Sequence, residues 1–378
     1  MSVSRVLLTI LITLLLTVVC FADSTNTSSE LFDGPPHFSN GKALSPGWEN
    51  RIDYSAESDL RLFWVASSGE PKWEAIRKRA DSTLVSRGKS AVPFLISRLS
   101  TDDARDRQTV NQLLKKIGTP AVESLLMVID TAKSRDEATL AIQTLGDIGD
   151  STALPRLLQA ASDTAFRIRT SAALALMSYP KLPLSVIEKM RNLAQDKLPG
   201  IRRNALRGLV LQSDIPSIPY IVGGLSDSMF SIRETLMYTL SGKPSKKDSS
   251  DMAKLAAREQ FRSALRDFLD KKLLPALERQ NYLEFHTEQG VISNTRTARA
   301  ATLPVADNRA LLMYLRAYRT LDGGKTTIWS RAALHTDPAI RAEAVRAGTK
   351  KQTNGKVTLA RYAKKLRDDP DPIVKAAY

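Results

Sequence analysis

The sequence predicts an all-α fold, an α-α superhelix in which antiparallel helix pairs stack with a right-handed turn. Three observations lead to this prediction. Glycine turns recur at Gly88, Gly118 and Gly149, at spacings of 30 and 31 residues. An aspartate recurs six residues before a basic residue that follows isoleucine or valine. Apolar residues between the turns follow i, i+3, i+4 spacing, which marks one face of a helix. A period near thirty residues is typical of helical solenoids.

The first residues have the pattern of a secretory signal peptide. Residues 1–5 carry one positive charge, residues 6–19 are apolar apart from threonines, and Ala22 ends the segment. We expect cleavage after Ala22. An uncleaved membrane anchor is the alternative, although the run is shorter than the ~20 residues of a spanning helix. The charge before the run and the acids after it predict a periplasmic or secreted protein with no transmembrane helix in the mature chain.

Cys20 is the single cysteine, so the mature chain is predicted to have no internal disulfide. Cys20 also stands where a bacterial lipoprotein carries its lipid. However, Val19 occupies a position at which that signal requires a small residue, so lipid anchoring is kept as an alternative. Residues 23–60 are rich in Gly, Pro, Ser and Asn and have no period, which predicts an extended linker.

Residues 61–242 are predicted to form successive repeats of two helices each. The first helices read PFLISRL, ALPRLLQA and IPYIVGGL, and the second read IRTSAALALM, IRRNALRGLV and IRETLMYTL. Small residues in the second helices allow close approach, and one pair cannot bury both faces alone, so stacking must supply the core. Gly118 and Gly149 stand where helices end, a place that favours glycine in a left-handed conformation.

One buried apolar position recurs through the chain at spacings of 33, 31, 108 and 34 residues: Ile168, Ile201, Ile232, Ile340 and Val374. The long interval is close to three more periods. We therefore predict degenerate repeats with an insertion over residues 243–325, in which LLPALERQNYLEF forms a repeat's first helix and Pro275 kinks or splits the preceding helical segment. Residues 326–378 are predicted to resume the repeats, with the last one incomplete.

The segment LGDIGDSTALPRLLQAASDTAFRIRTSAALAL resembles HEAT repeats, in particular the short HEAT-like, bilin-lyase-type repeats. Residues 88–242 and 326–378 follow the pattern of that family: a glycine turn, Ala-Val/Leu-Pro, Leu-Leu, Asp, then Val-Arg and Ala. The resemblance implies an acid–base ladder between neighbouring repeats. Residues 102–107 and 130–136 depart from the pattern, and His335 replaces its first acid, which leaves the ladder open at those joints.

The resemblance assigns the ladder to Asp163, Arg169, Asp196, Arg202, Asp227 and Arg233. The alternative is that these arginines bind an anionic partner. Arg167, Arg203 and Arg207 lie outside the ladder and are freer to bind. In repeats of this type the second helices line the concave side, so Arg203, Arg207 and Tyr238 are predicted to form one exposed partner-binding patch. The alternative is two solvated arginines and a tyrosine packed between helices.

The inventory of reactive residues argues against an enzyme. The three histidines, His37, His286 and His335, do not stand at a metal-ligand spacing, and the chain has no GxSxG sequence and no phosphate loop. We therefore predict no catalytic residue, no metal and no cofactor.

The formal net charge of +15 indicates affinity for polyanions, or else only a well-solvated basic surface. Predicted export argues against nucleic acid. The resulting hypothesis is a non-enzymatic exported scaffold that binds a protein partner in the cell envelope. Two alternatives remain open: a bilin-lyase-like enzyme, which only the repeat family suggests, and a binder of an anionic envelope polymer or lipid.

Overall fold

The computed structural model describes residues 53–132, 134–242, 252–278, 282–285, 292–295, 308–351 and 357–378. The chain divides into two compact units, Met1–Leu125 and Leu126–Tyr378. The described residues are mostly helical, which confirms the predicted all-α solenoid of helix pairs. The predicted signal peptide, Cys20 and most of the predicted linker lie outside the described residues.

The described part of the chain contains eighteen α-helices. They are α1 (Asp59–Ser67), α2 (Glu74–Arg87), α3 (Val92–Ser97), α4 (Ala104–Ile117), α5 (Val122–Thr131), α6 (Arg135–Ile148), α7 (Leu154–Ala160), α8 (Phe166–Ser178), α9 (Leu184–Leu193), α10 (Pro199–Gln212), α11 (Ile218–Leu225), α12 (Phe230–Ser241), α13 (Met252–Glu278), α14 (Asn308–Thr320), α15 (Thr326–Ala332), α16 (Pro338–Gly348), α17 (Arg361–Lys364) and α18 (Pro372–Lys375). In this part, no helix is long and apolar enough to cross a membrane.

Helix pairing follows the repeat. In the first unit α1 packs on α2, and both α2 and α3 pack on α4. In the second unit α7, α9, α11, α13 and α15 each pack on the helix that follows them in the chain. Those following helices, the second helices of the repeats, also pack against one another in the order α6, α8, α10, α12, α14, α16. In the second unit, each repeat from α6 to α16 therefore contributes one helix to a continuous row of second helices.

The recurring apolar position is buried in every repeat that was used to define it. Ile201, Ile232, Ile340 and Val374 are fully enclosed, and Ile168 is nearly so. This confirms the predicted orientation of the second helices. It also places each residue of those helices on a defined face, because the same offset from the buried isoleucine recurs from repeat to repeat.

The three glycine turns adopt the backbone conformation that glycine favours. Gly88, Gly118 and Gly149 have φ angles of 56°, 76° and 73°. The N–H groups of Gly118 and Gly149 bond the carbonyls of Leu114 and Leu145, at 2.9 and 3.0 Å, and so close the ends of α4 and α6. A side chain at these positive φ angles would be strained, which explains why glycine recurs.

The region between Ile232 and Ile340 is less regular than the repeats before it. Its described residues form the helix pair α13 and α14, the helix α15 and an antiparallel hairpin of β1 (Tyr282–Phe285) and β2 (Ile292–Thr295), which lies between α13 and α14 in the chain. A second hairpin pairs β3 (Thr349–Lys351) with β4 (Val357–Leu359), so the predominantly α-helical fold includes two hairpins that the sequence pattern did not predict.

The predicted break at Pro275 does not split the helix, since α13 continues through Pro275 to Glu278. Leu273 and Leu277 are both buried on either side of the proline, and this packing holds the last turn in place. The predicted helix LLPALERQNYLEF is wrong in its second half, because YLEF forms β1. Aromatic residues such as those of YLEF favour strands.

Gly146 marks a close approach between the second helices α6 and α8. A Cβ at Gly146 would lie 2.5 Å from the Cα of Ala175 on α8, whereas a Cβ at the exposed Gly223 of α11 would meet nothing within 4 Å. We expect Gly146→Ala to lower the thermal midpoint, because overpacking costs about 1–3 kcal/mol and exceeds the helix-propensity gain of about 1 kcal/mol. The control Gly223→Ala should raise it. Thermal unfolding followed by circular dichroism checks both signs, and a rise in both variants would disprove the close contact.

Candidate functional site

The arginine ladder, defined as Asp163, Arg169, Asp196, Arg202, Asp227 and Arg233, begins with a turn inside each repeat. The Nη1 of each arginine donates to the carbonyl oxygens of the residues six and five positions before it. For Arg169 these are Asp163 and Thr164, both at 2.8 Å, and for Arg202 they are at 2.9 and 3.0 Å. The arginine thus satisfies carbonyls that the turn before the second helix leaves unpaired.

The aspartates of the ladder close the same turns from the other side. Asp163 Oδ1 accepts from the N–H of Ala165 at 2.7 Å, and Asp196 and Asp227 accept from the residues two positions ahead at 2.8 and 2.9 Å. Such side-chain capping of the backbone is characteristic of aspartate at the start of a helix. The six-residue Asp–Arg spacing is therefore the spacing of one turn.

Two rungs join neighbouring repeats. Arg202 donates from Nε and Nη2 to the two oxygens of Asp227, at 2.8 and 3.0 Å. Arg169 Nε lies 3.6 Å from Asp196 Oδ2. Burial acts to raise the pKa of Asp227, but the hydrogen bonds from Arg202 and the Met229 N–H together hold that pKa below its ordinary value. The bidentate rung is thus ionised at neutral pH.

The two ends of the predicted ladder are not rungs. Among the described residues no ion pair joins Asp163 to an arginine, because the preceding second helix, α6, has Ala138 at the position that the three arginines of the ladder occupy four residues after their own N-caps. Arg233 donates to its own turn at Ser228 O, at 2.9 Å, and its guanidinium lies 5.7 Å from the centre of the Phe230 ring.

A further rung lies near the C-terminal end. Arg341 Nε and Nη2 bond the two oxygens of Asp369 at 2.7 and 3.1 Å, and its Nη1 donates to the carbonyls of His335 and Thr336 at 3.0 and 2.8 Å. The side chains of Arg341 and Asp369 are 5% and 0% exposed. This is the most buried rung, and the sequence spacing of six residues from Asp369 to Lys375 was the signal that could have located it.

His335 takes the place of the capping aspartate in that repeat. Its Nδ1 accepts from the Asp337 N–H at 2.9 Å, the bond that Asp Oδ1 makes in the other turns. The turn therefore survives the substitution that the sequence left open. Burial lowers the pKa of His335 from 6.5 to about 4, the charge of Asp337 opposes this, and that of Arg341 adds to it.

The open joint at residues 102–107 also keeps half of the motif. Arg107 Nη1 donates to the carbonyl of Thr101 at 2.7 Å, again six residues back, and Thr101 Oγ1 accepts from the Asp103 N–H at 3.4 Å. Threonine thus replaces aspartate as the capping residue.

Each second helix exposes one stripe of residues to solvent, and successive residues of a stripe are four positions apart. The exposed stripes are Arg203, Arg207 and Leu211 on α10 and Phe230, Glu234 and Tyr238 on α12. On α8 the equivalent stripe begins at the exposed Phe166. We call these stripes together the second-helix face. Because α8, α10 and α12 pack in sequence, the stripes lie side by side.

The structure places all three residues of the predicted patch on this face. Tyr238 is 75% exposed, which excludes the alternative that it packs between helices. Arg203 and Arg207 are exposed on the adjacent helix, and in the described part of the chain neither forms an ion pair. Arg167, in contrast, bonds Asp136 at 2.7 Å on the surface.

Sequence reasoning missed the exposed aromatic residues at the start of the second helices. Phe166 and Phe230 are 57% and 66% exposed, and both stand two residues before the buried isoleucine. That constant offset was a usable signal. In the described ranges, no group of three or more His, Cys, Asp or Glu side chains is arranged to hold a metal ion.

Comparison with known proteins agrees with this architecture. Residues 122–209 match the family model for HEAT repeats. The matched segment lies within the row of helix pairs described above, from α5 to α10. No curated protein matches the chain in sequence.

Several solved structures are similar to the chain. The CpcE–CpcF complex of phycocyanin lyase from Nostoc sp. is 26% identical over 40% of this chain and 98% of that chain, with a TM-score of 0.36. YibA from E. coli is 19% identical over 63% and 90%, with a TM-score of 0.36. Yeast importin-beta is 13% identical over 77% and 42%, with a TM-score of 0.44.

Proposed function

We propose that this protein is a non-enzymatic, exported scaffold whose second-helix face binds a protein partner in the cell envelope. The observation that carries the proposal is the composition of the exposed stripes on α10 and α12, where Tyr238 and Phe230 stand beside Arg203 and Arg207. Tyrosine and arginine are enriched among the residues that dominate binding energy at protein interfaces.

The hydrogen bonds of the ladder arginines support this assignment. The ladder arginines donate to turn carbonyls and to aspartates of neighbouring repeats. Arg202, for example, donates to the carbonyl of Asp196 and to the carboxylate of Asp227. Arg203 and Arg207 lie on the same helix but point away from these bonds. The fold therefore separates arginines that hold the repeats together from arginines that are presented to solvent.

The export part of the proposal rests on the sequence pattern of residues 1–22. A charged start, an apolar run and a small residue at position 22 support a cleaved signal. Intact-mass measurement of the protein from its native host tests it, since retention of residues 1–22 would contradict the cleavage.

The binding prediction concerns Arg207 and Tyr238. Loss of both side chains, in Arg207→Ala with Tyr238→Ala, is expected to weaken partner binding at least tenfold, which corresponds to about 1.4 kcal/mol. The partner would be captured from envelope extract on the immobilised native protein, identified by mass spectrometry, purified, and titrated against both proteins by calorimetry.

The matched control changes two exposed residues at the first-helix side of a repeat, Lys181→Ala with Leu184→Ala. Leu184 is 62% exposed, so the control removes a similar cation and apolar side chain from another surface. Its affinity should stay within about twofold of native. If both variants weaken partner binding equally, or if neither variant weakens it, the partner does not dock on the second-helix face.

A further inference from the structure

A cluster of three arginines surrounds one buried carboxylate at the other end of the row of second helices. Glu343 on α16 is 1% exposed. Its Oε1 accepts from Arg319 Nε, its Oε2 accepts from Arg346 Nη1 at 3.2 Å, and Arg316 Nε lies 3.6 Å from Oε2. We call these four residues the arginine cluster.

The arginine cluster carries more positive charge than the burial of Glu343 requires. One guanidinium would balance the carboxylate, and three leave a net charge of +2. The side chains of Arg316, Arg319 and Arg346 remain 42%, 41% and 38% exposed. Each guanidinium has five N–H donors, so several donors per arginine still face solvent.

Packing alone does not explain a carboxylate at this position. Glu343 is the third residue after the buried Ile340, and the residues at the same offset on α8 and α10 are Ser171 and Asn204, which are buried without charge. The Asn204 side chain donates one hydrogen bond, from Nδ2 to the Thr170 carbonyl at 3.4 Å. In α16 the carboxylate instead fixes three guanidinium groups in place, which lowers the entropy lost when they bind a ligand.

The cluster lies on the same face as the patch. Arg346 is the sixth residue after its buried isoleucine, the offset that Arg207 and Tyr238 occupy in their own repeats. The helices α10, α12, α14 and α16 pack in sequence, so this row of residues continues from the patch to the cluster.

We infer that the arginine cluster binds carboxylate side chains of an acidic segment in the protein partner. Arginine forks match the planar geometry of carboxylates, and a net positive charge in the same row as the exposed Tyr238 suits a polypeptide that carries both acidic and apolar side chains. This inference rests on the proposed function, and it specifies the chemistry of the partner at one end of the face.

The test uses the double variant Arg316→Gln with Arg346→Gln. Arg319 is retained because it makes the closest bond to Glu343, so the buried carboxylate stays paired and circular dichroism should match the native protein. The probe is a fluorescein-labelled peptide of alternating glutamate and leucine, measured by anisotropy. We expect the native protein to bind it, with an affinity that falls as salt rises, and the double variant to bind about fivefold more weakly.

The control Lys181→Gln with Lys197→Gln removes the same charge from exposed lysines elsewhere in the second unit and should change peptide affinity less than about twofold. No binding of the peptide to the native protein, or equal weakening by both variants, would overturn the inference. So would arginine-dependent binding to phosphatidylserine vesicles without peptide binding, which would indicate a lipid ligand. Partner capture that needs Tyr238 but not Arg316 and Arg346 would retain the proposed function and reject the inference alone.

Discussion

Arg341→Met is expected to lower the free energy of unfolding of the second unit by about 3–5 kcal/mol. The substitution leaves Asp369, whose side chain is fully enclosed, as a buried charge without its bidentate partner. It also removes the donors that Arg341 supplies to the carbonyls of His335 and Thr336. The ion pair with Arg341 offsets the cost of removing the Asp369 carboxylate from water, and in the variant nothing would offset that cost. Urea denaturation followed by circular dichroism measures the loss.

The matched control is Arg167→Met. Arg167 bonds Asp136 at 2.7 Å, the same pairing at the same distance, but the two side chains are 59% and 75% exposed. Exposed pairs contribute about 0–1 kcal/mol, so this control should unfold close to the native midpoint. The double variant Arg341→Met with Asp369→Leu should recover much of the loss, since it leaves no buried charge. Similar effects of Arg341→Met and Arg167→Met would mean that burial does not decide the strength of the rung.

The repeat could be predicted because its signals are local. Gly118 marks a turn, Asp196 and Arg202 close another, and Ile201 orients a helix, and each of these depends on neighbours within one repeat. The same local logic placed Arg203 and Arg207 on the exposed side of α10. A period of about thirty residues then extends the assignment from one repeat to the next.

The arginine cluster could not be predicted in the same way, because it lies after the irregular segment, where the regular period has been interrupted. Arg316 and Arg319 lie on α14, which follows the long insertion, and they meet a glutamate within a second helix rather than an aspartate in a turn, so the six-residue Asp–Arg signal of the ladder does not identify them. Only Arg346 carried a usable signal, its offset of six from Ile340. After an insertion, the role of a side chain depends on which helix packs beside it, and the repeat period does not identify that neighbouring helix.

The hairpins show a related limit. YLEF follows a strongly helical sequence, so the predicted helix was extended too far. In the structure α13 ends at Glu278, and Tyr282–Phe285 pairs with Ile292–Thr295. Strand pairing depends on a partner segment, and the interval between the two strands contains no feature that repeats elsewhere in the chain. The burial that holds Pro275 inside α13 is likewise a tertiary effect, which overrides a local preference.

His335 should make the stability of the second unit depend on pH between about 6.5 and 4. Its pKa falls from 6.5 to about 4 on folding, chiefly because burial disfavours the imidazolium. Between these values the unfolded chain binds more protons than the folded chain. Stability is therefore complete above pH 6.5 and decreases as the pH falls toward 4. A depression of this size corresponds to about 3 kcal/mol.

The structure also explains why protonation is unfavourable at this site. Nδ1 accepts the Asp337 N–H and so cannot hold a proton without losing that bond, while Nε2, which must carry the hydrogen, has no hydrogen-bond partner among the described residues. A proton on Nδ1 would also face the guanidinium of Arg341, which bonds the His335 carbonyl at 3.0 Å. Protonation therefore costs a hydrogen bond of the turn whose His335 carbonyl also accepts from Arg341.

His335→Asn provides the test, because the amide oxygen can accept the Asp337 N–H as aspartate does in the other turns and does not titrate. Urea denaturation at several pH values from 7 to 4 should give a native curve that falls by about 3 kcal/mol more than the curve of the variant. An imidazole that stays neutral to about pH 4 in a proton NMR titration would identify His335 as the source, since His37 and His286 are the other histidines of the chain. Parallel curves for the native protein and the variant, or three histidines that all titrate near 6.5, would contradict the buried neutral state of His335.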